Sequence, residues 1–402
     1  MQVGRLSSLV LLLISEVAAM STWFATTASL TAIRTHYTLN AFQEAMLTNS
    51  VQIGFVIGTL VSALLTLPDR FDLRRLFSIG SAVAALANFI LLMFEPTSLA
   101  LPLMRMITGA CMAAVYPVGM KIAATWAKGD LGLLVGLLVA ALTLGSASPH
   151  LVAVFGGLDW RGPVAVAAIC AVAAALFIRF VSIGPNISPA APLRLGNALH
   201  AWRNRHVRLA NLGYLGHMWE LYAMWAWIGA FLASSFRTRY GSAPPIPSEL
   251  AAFMVVGVGA LGAMAGGFAA DRIGRTAVTI AAMVVSGICS AFIGLLFGGP
   301  AWMLVAVSIV WGVAIIADSA QFSACVAELS ERALVGTMLT IQTCAGFVLT
   351  TISIQLIPIA VSWVGWQRAF VLLAIGPLLG VVAMLRLRRE LGQDMFWIKE
   401  KA

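Results

Sequence analysis

Apolar residues follow one another along the chain in long stretches separated by short polar breaks. A helix that crosses the hydrocarbon core of a bilayer needs about 20 mostly apolar residues. Twelve stretches reach that size, over residues 7–33, 41–67, 76–95, 99–125, 131–155, 163–183, 209–235, 248–270, 277–298, 300–326, 334–360 and 368–388. The first follows MQVGR. It exceeds the roughly 7 to 15 apolar residues of a signal-peptide core and shows no clear small-residue cleavage site, so it reads as a retained first helix. The pattern predicts an all-α membrane protein with 12 transmembrane helices.

The longest polar segment, residues 184–208, begins GPNISPAAP and ends in the basic AWRNRHVR. Its prolines disfavour helix, and it reads as a linker between an N-terminal bundle at 1–183 and a C-terminal bundle at 209–402 with a short basic tail. Landmarks on either side of the linker repeat. Glu16-x-x-Ala19-Met20-x-x-Trp23 returns 204 residues later as Glu220-x-x-Ala223-Met224-x-x-Trp227. Asp69 and Asp271 are 202 apart, and Trp160 and Trp366 are 206 apart. Three landmarks at nearly one spacing imply an internal duplication into two pseudo-symmetric six-helix bundles, related by an axis along the membrane normal.

Composition agrees with the pattern. Sixty per cent of residues are hydrophobic and 10% charged, against roughly 45 to 50% and about 25% in soluble domains. The net charge of +9 raises the question of nucleic acid, and its distribution answers it. With the amino terminus in the cytoplasm, 19 of the 25 Lys and Arg residues fall on the inner side, five on the outer side, and Arg105 lies within a helix. That asymmetry is the positive-inside rule. It places both termini in the cytoplasm and makes a nucleic-acid partner unnecessary. The five cysteines stand singly in apolar helices, without the paired spacing of a metal site.

Gly267-x-x-x-Asp271-Arg272-x-Gly274-Arg275 follows the eighth stretch. After the second stands Asp69-Arg70-Phe71-Asp72-Leu73-Arg74-Arg75, where an Asp-Leu pair replaces the single glycine. In the fourth stretch Arg105 precedes Gly109 by four residues, ahead of Tyr116-Pro117. In the fifth, Gly136 and Gly145 partly match the antiporter signature G-x8-G-x3-G-P, with Pro149 and His150 where its closing glycine and proline belong. These motifs resemble the major facilitator superfamily over essentially the whole chain. The resemblance implies a gating role for Asp69, Arg70, Asp271, Arg272, Gly274 and Arg275. In the first-half turn, Asp72 is expected to tolerate the left-handed backbone that Gly274 adopts at little cost. The glycine-rich signatures of nitrate carriers, and the arginines those carriers place in helices two and eight, are not found.

Glu16, Arg105, Glu220 and Asp318 are ionisable residues inside apolar stretches. Left unrelieved, they would cost roughly 10 kcal/mol together, so they are expected to face water or one another. Trp23 and Trp227 follow their glutamates at i+7, on the same face of a continuous helix. The resemblance implies that helices one, four, seven and ten line a central cavity, and that Arg105 partners Glu16. A carboxyl in such a cavity can load and release a proton as its access to water alternates. Proton coupling is therefore assigned to Glu220, Glu16 and Asp318, with Glu220 foremost. The substrate cavity is assigned to Arg105, Trp23, Trp227, Tyr116, His217 and Gln321. His217, three residues before Glu220, shares its face. Trp219, Tyr222 and Trp225 read as packing aromatics.

The expectation is a secondary active transporter, a bacterial inner-membrane monomer that moves a small organic solute by alternating access and couples to protons. More acid than base, together with several aromatics, favours a neutral or cationic solute, since cations are drawn to ring faces. The direction of transport is left open. No cofactor or metal is expected. The alternatives are a uniporter, a transport-inactive sensor of the same fold, and an intramembrane enzyme. The last lacks HExxH, GxSxG and paired catalytic aspartates.

Overall fold

Polar breaks separate the helices, and before the second, third and seventh the break also supplies the cap. The structure, a computed structural model, describes residues 4–156, 159–186, 200–331 and 334–392, and every regular element among them is helical. The spans are α1 (Arg5–Met20, continued by Ala25–Ala28 and Leu30–His36), α2 (Ala41–Leu64), α3 (Leu73–Leu91), α4 (Ala100–Thr125), α5 (Leu131–Gly156), α6 (Arg161–Phe177), α7 (Arg205–Tyr240), α8 (Ser248–Ile273), α9 (Arg275–Phe292), α10 (Ala301–Leu329), α11 (Val335–Val364) and α12 (Trp366–Glu390). Ten are long and apolar enough to cross a membrane; α1 has only 16 residues before its break, and the 36-residue α7 is more polar.

Capping explains several boundaries. Asn40 and Gln43 form a capping box at the start of α2, the Asn40 side chain accepting from Gln43 N–H at 2.9 Å and Gln43 Oε1 accepting from Asn40 N–H at 3.0 Å. Asn204 caps α7 by accepting from His206 N–H at 3.0 Å and Val207 N–H at 3.2 Å. Helix α7 therefore starts at Arg205, inside the segment read as linker, whose residues 187–199 lie outside the described residues.

The two basal turns differ from expectation. Gly274 has φ +89, as a glycine at that turn can. Asp72 does not mirror it: its φ is −58, and its carboxylate caps α3 by accepting from Arg74 N–H at 2.9 Å and Arg75 N–H at 3.3 Å. In the first half the left-handed residue is Thr66, with φ +50, ahead of Leu67-Pro68.

Helices α1 to α6 form one bundle and α7 to α12 the other; α2 packs on α11 and α5 on α8 across the seam. An equivalent helix pair in each bundle, α2 with α4 and α8 with α10, meets at backbone contact through several glycines. A Cβ added at Gly54 would lie 1.9 Å from Met106 O, one at Gly58 2.4 Å from Ala110 O, and one at Gly109 2.0 Å from Val51 O. The second half repeats this: Gly262 meets Val313 O at 2.2 Å, Gly266 meets Ala317 O at 1.9 Å, and Gly312 meets Val255 O at 1.9 Å. Gly54-x-x-x-Gly58 and Gly262-x-x-x-Gly266 are small-residue motifs that let helices approach closely in lipid, and both members are displaced by 208 residues. The duplication is thus written in packing as well as in charge. Apolar side chains such as Ile79, Leu99, Leu295 and Leu378 stand exposed on the outer faces, as lipid-facing residues do.

Several helices that the sequence predicts as continuous are broken. Helix α1 stops at Met20, α4 is interrupted between Met112 and Tyr116, α8 divides at Val258, and α10 divides at Asp318.

Candidate functional site

The pairs Arg5–Asp130, Arg205–Glu390 and Arg388–Thr276 gather the start of α1, the start of α7, the end of α12 and the starts of α5 and α9 on one face, here termed basal. Between the bundles, in the basal half, lies a cavity of about 300 Å³. Its walls come from α2 (Thr59), the lower part of α4 (Tyr116, Pro117, Met120), α5, α7 (Tyr214, Met218), the lower part of α10 (Ser319, Ser323) and α11 (Thr340, Thr343). A second cavity of about 170 Å³ shares Thr59, Pro117 and Thr340 with the first and continues to Asp69 and Lys121 at the basal ends of α2 and α4.

Aromatic rings from both bundles roof the central cavity. Trp23 lies 5.1 Å from Phe55, 6.0 Å from Tyr222 and 5.8 Å from Phe347, and Phe347 lies 4.5 Å from Phe55. Above them Phe24 stacks on Tyr222 at 6.2 Å and meets Trp225 edge-on at 5.8 Å. On the distal side Asn49 Nδ2 donates to Thr351 O at 3.1 Å across the seam. Trp23 and Tyr116, both assigned to the cavity from sequence, line it. Tyr222, read as packing, lines it too.

The intramembrane charges do not line this cavity. Arg105 is fully buried and donates to the carbonyls of Thr22 (2.7 Å), Trp23 and Leu47 (3.4 Å) and to Asn88 Oδ1 (3.4 Å). It therefore satisfies the carbonyls freed where α1 breaks, as a cation at a helix C-terminus does. The expected Glu16–Arg105 pair is not formed. Both Glu16 oxygens are buried without a hydrogen-bond partner among the described residues, packed against Gly119, whose added Cβ would sit 2.5 Å from Glu16 Oε2. The break also cancels the shared face expected of Glu16 and Trp23, because seven residues span two turns only in a continuous helix.

Glu220 points into its own bundle, where its carboxylate accepts from Ser286 Oγ at 2.8 Å on α9 and Trp311 Nε1 at 2.9 Å on α10. His217, expected beside Glu220, instead places Nδ1 2.9 Å from Asp318 Oδ1 at the break in α10, with both side chains almost wholly buried. The rings of Tyr214, which lines the cavity, and Phe322 lie 6.2 Å and 5.4 Å from that of His217. Trp227 Nε1 donates to Ile354 O at 2.9 Å. Gln321 Oε1 accepts from Arg275 Nη1 at 2.9 Å. Of the six side chains assigned to the cavity, Arg105, Trp227, His217 and Gln321 are turned elsewhere because each has a polar partner within its own bundle.

At the basal ends Lys121 Nζ pairs with Asp69 and with Pro68 O at 3.3 Å. Arg275 pairs with Glu328 at 2.8 Å, and Arg272 lies over the Phe268 ring at 3.4 Å. Arg70 is exposed, and Asp271 lies near Gly132 at the start of α5. The Arg74 side chain, hydrogen-bonded to Asp72, holds that carboxyl below the usual carboxylate range.

Compared with known proteins, residues 11–244, more than half of the chain, match the model of a family described as Major Facilitator Superfamily. No curated protein matches the chain. Among solved structures 304 chains match. One, titled as the crystal structure of the nucleoside transporter NupG in a single-residue mutant form, aligns with a TM-score of 0.73 at 15% identity, covering 96% of this chain and 100% of that one. At that identity the likeness is one of fold.

Proposed function

Because the chain belongs to the major facilitator superfamily, and is thus a solute transporter rather than an enzyme, we propose that it carries a small organic solute by alternating access of the central cavity to the two membrane faces. The observation that carries this reading is the cavity itself: it lies between the two bundles, beneath a roof to which both contribute rings, and continues toward the basal face. We place the basal face in the cytoplasm, on the asymmetry of Lys and Arg, the membrane being a bacterial inner membrane. The chain acts as a monomer.

Proton coupling belongs to the same proposal. It is supported by three buried carboxyls, Glu16, Glu220 and Asp318, each on a helix that contributes to the cavity wall. Asp318 adjoins Ser319, a wall residue at the break in α10, and His217 gives it a partner that can share a proton. A uniporter is the second reading. It draws on Glu220, whose two neutral donors give it the hydrogen bonds of a static structural group.

The test is counterflow in proteoliposomes, with solutes first selected by their ability to raise the melting temperature of purified protein. Nucleosides enter the panel because the similar fold carries that title. Under proton coupling, Asp318→Asn and Glu220→Gln still exchange solute but no longer accumulate it against a gradient under an imposed pH difference. Counterflow without any pH-driven accumulation by the unaltered protein leaves the uniporter; unchanged accumulation in both variants removes these two carboxyls from the coupling; absence of counterflow by the whole panel defeats the transport reading.

A further inference from the structure

We propose that the central cavity selects uncharged solutes built on a two-ring aromatic body with hydroxyl or carbonyl groups at its rim. This rests on the transport reading above and narrows its substrate. None of the described residues lining the cavity carries a charge, although Glu16, Arg105, His217, Glu220 and Asp318 lie buried in the helices around it. Arg105 is spent on backbone carbonyls and Glu220 on Ser286 and Trp311. His217 and Asp318 are engaged with each other, and Glu16 stands behind the wall at Gly119. A cationic solute finds no carboxylate on the wall and an anionic one finds no guanidinium or ammonium. Either would shed its hydration shell without replacement, the costly case for a buried ion.

The wall specifies more than neutrality. Six of its side chains are aromatic, and eight carry hydroxyls, among them Thr59, Tyr116, Ser319 and Thr343. Rings offer faces to a flat solute. Hydroxyls donate and accept, which suits neutral hydrogen-bonding groups without fixing a charge. Trp23, which lines the cavity, adds a buried indole N–H with no acceptor among the described residues, a donor that a solute oxygen can satisfy when the roof shifts. Volume sets the size. A cavity of about 150 Å³ holds benzene, so one of about 300 Å³ admits two fused rings.

The probes are tryptophol, indoleacetate and tryptamine, which share two rings and differ in charge, titrated calorimetrically into the protein in lipid nanodiscs. Tryptophol is expected to bind about 100-fold more tightly than either ion, the equivalent of part of one ion's desolvation cost. Thr343→Asp, which adds a carboxylate to the wall, is expected to raise tryptamine affinity about tenfold or more and to weaken tryptophol. An ion binding the unaltered protein as tightly as tryptophol, no binding by any of the three, or affinities unmoved by Thr343→Asp would each overturn the proposal. Counterflow against protein-free liposomes keeps this separate from transport. Tryptophol bound but not exchanged supports the cavity's selectivity while refuting transport; preferential exchange of indoleacetate supports transport and overturns the selectivity.

Discussion

Gly266 and Gly267 are neighbours on α8, and the same substitution is expected to move stability in opposite directions at the two. At Gly266 an added Cβ meets the carbonyl oxygen of Ala317 at 1.9 Å and its carbon at 2.7 Å. These are backbone atoms of α10, so no rotamer change can relieve the clash. Ordinary contact starts at 3.4 Å, and the two helices must part by about 1.5 Å to restore it. Overpacking of this kind costs about 1–3 kcal/mol or more, while replacing a helical glycine with alanine returns about 1 kcal/mol. Because a 1.9 Å approach to backbone places the clash at the upper end of that range, Gly266→Ala destabilises by about 2 kcal/mol. At Gly267 a Cβ meets nothing within 4 Å, so Gly267→Ala keeps only the helical gain and stabilises by about 0.5–1 kcal/mol. Thermal unfolding of the purified protein, followed by tryptophan fluorescence, should place the two melting temperatures on opposite sides of the wild type. A Gly266→Ala melting temperature equal to or above that of Gly267→Ala would refute the backbone-contact argument.

Asp72→Ala removes the cap of α3 and is expected to cost about 0.5–1 kcal/mol near neutral pH. Because the folded state holds this carboxyl below its ordinary range, its contribution is present above about pH 4 and lost as pH falls further. The melting temperatures of wild type and Asp72→Ala should differ at pH 7 and draw together as pH is lowered below about 4. Arg105→Lys keeps the charge but cannot reach both Thr22 O and Trp23 O with one planar fork; a loss of about 2–4 kcal/mol is expected. A lysine variant as stable as wild type in the same melting assay would mean that the guanidinium geometry is not what holds the α1 break.

Helix positions were legible because the bilayer imposes a length: the predicted spans agree with the observed ones to within about five residues. The duplication was legible from Glu16 and Glu220, Asp69 and Asp271, and Trp160 and Trp366. A further signal, the two glycine pairs at a constant offset of 208, was present in the sequence and reports the helix contacts directly. The destinations of the charges were not legible. Hydropathy says that Arg105 must be relieved, but not whether by a carboxylate, by water or by backbone carbonyls. The answer depends on the break after Met20, where the Ser21-Thr22-Trp23-Phe24 stretch contains neither proline nor glycine to announce it. Likewise the three-residue spacing of His217 and Glu220 defines a shared helix face but not which neighbouring helix each side chain meets, and Asp318 claims only the histidine.

The interruptions in α4 and α10 stand at matching places in the two bundles, between Met112 and Tyr116 and at Asp318. Above each lies a segment pinned to its neighbour through glycine; below each lies a piece that carries part of the cavity wall, Tyr116 to Met120 on one side and Ser319 to Ser323 on the other. Under the proposed alternating access, the upper segments are the fixed frame and the lower ones the doors hung from it. A tilt of those short pieces alone, at the cost of a few local hydrogen bonds, would then widen a solute's doorway while the ring-lined ceiling stays shut. Swinging the doors and parting the ceiling would be separate mechanical events, which is what a carrier needs if its two ends are never to stand open at once.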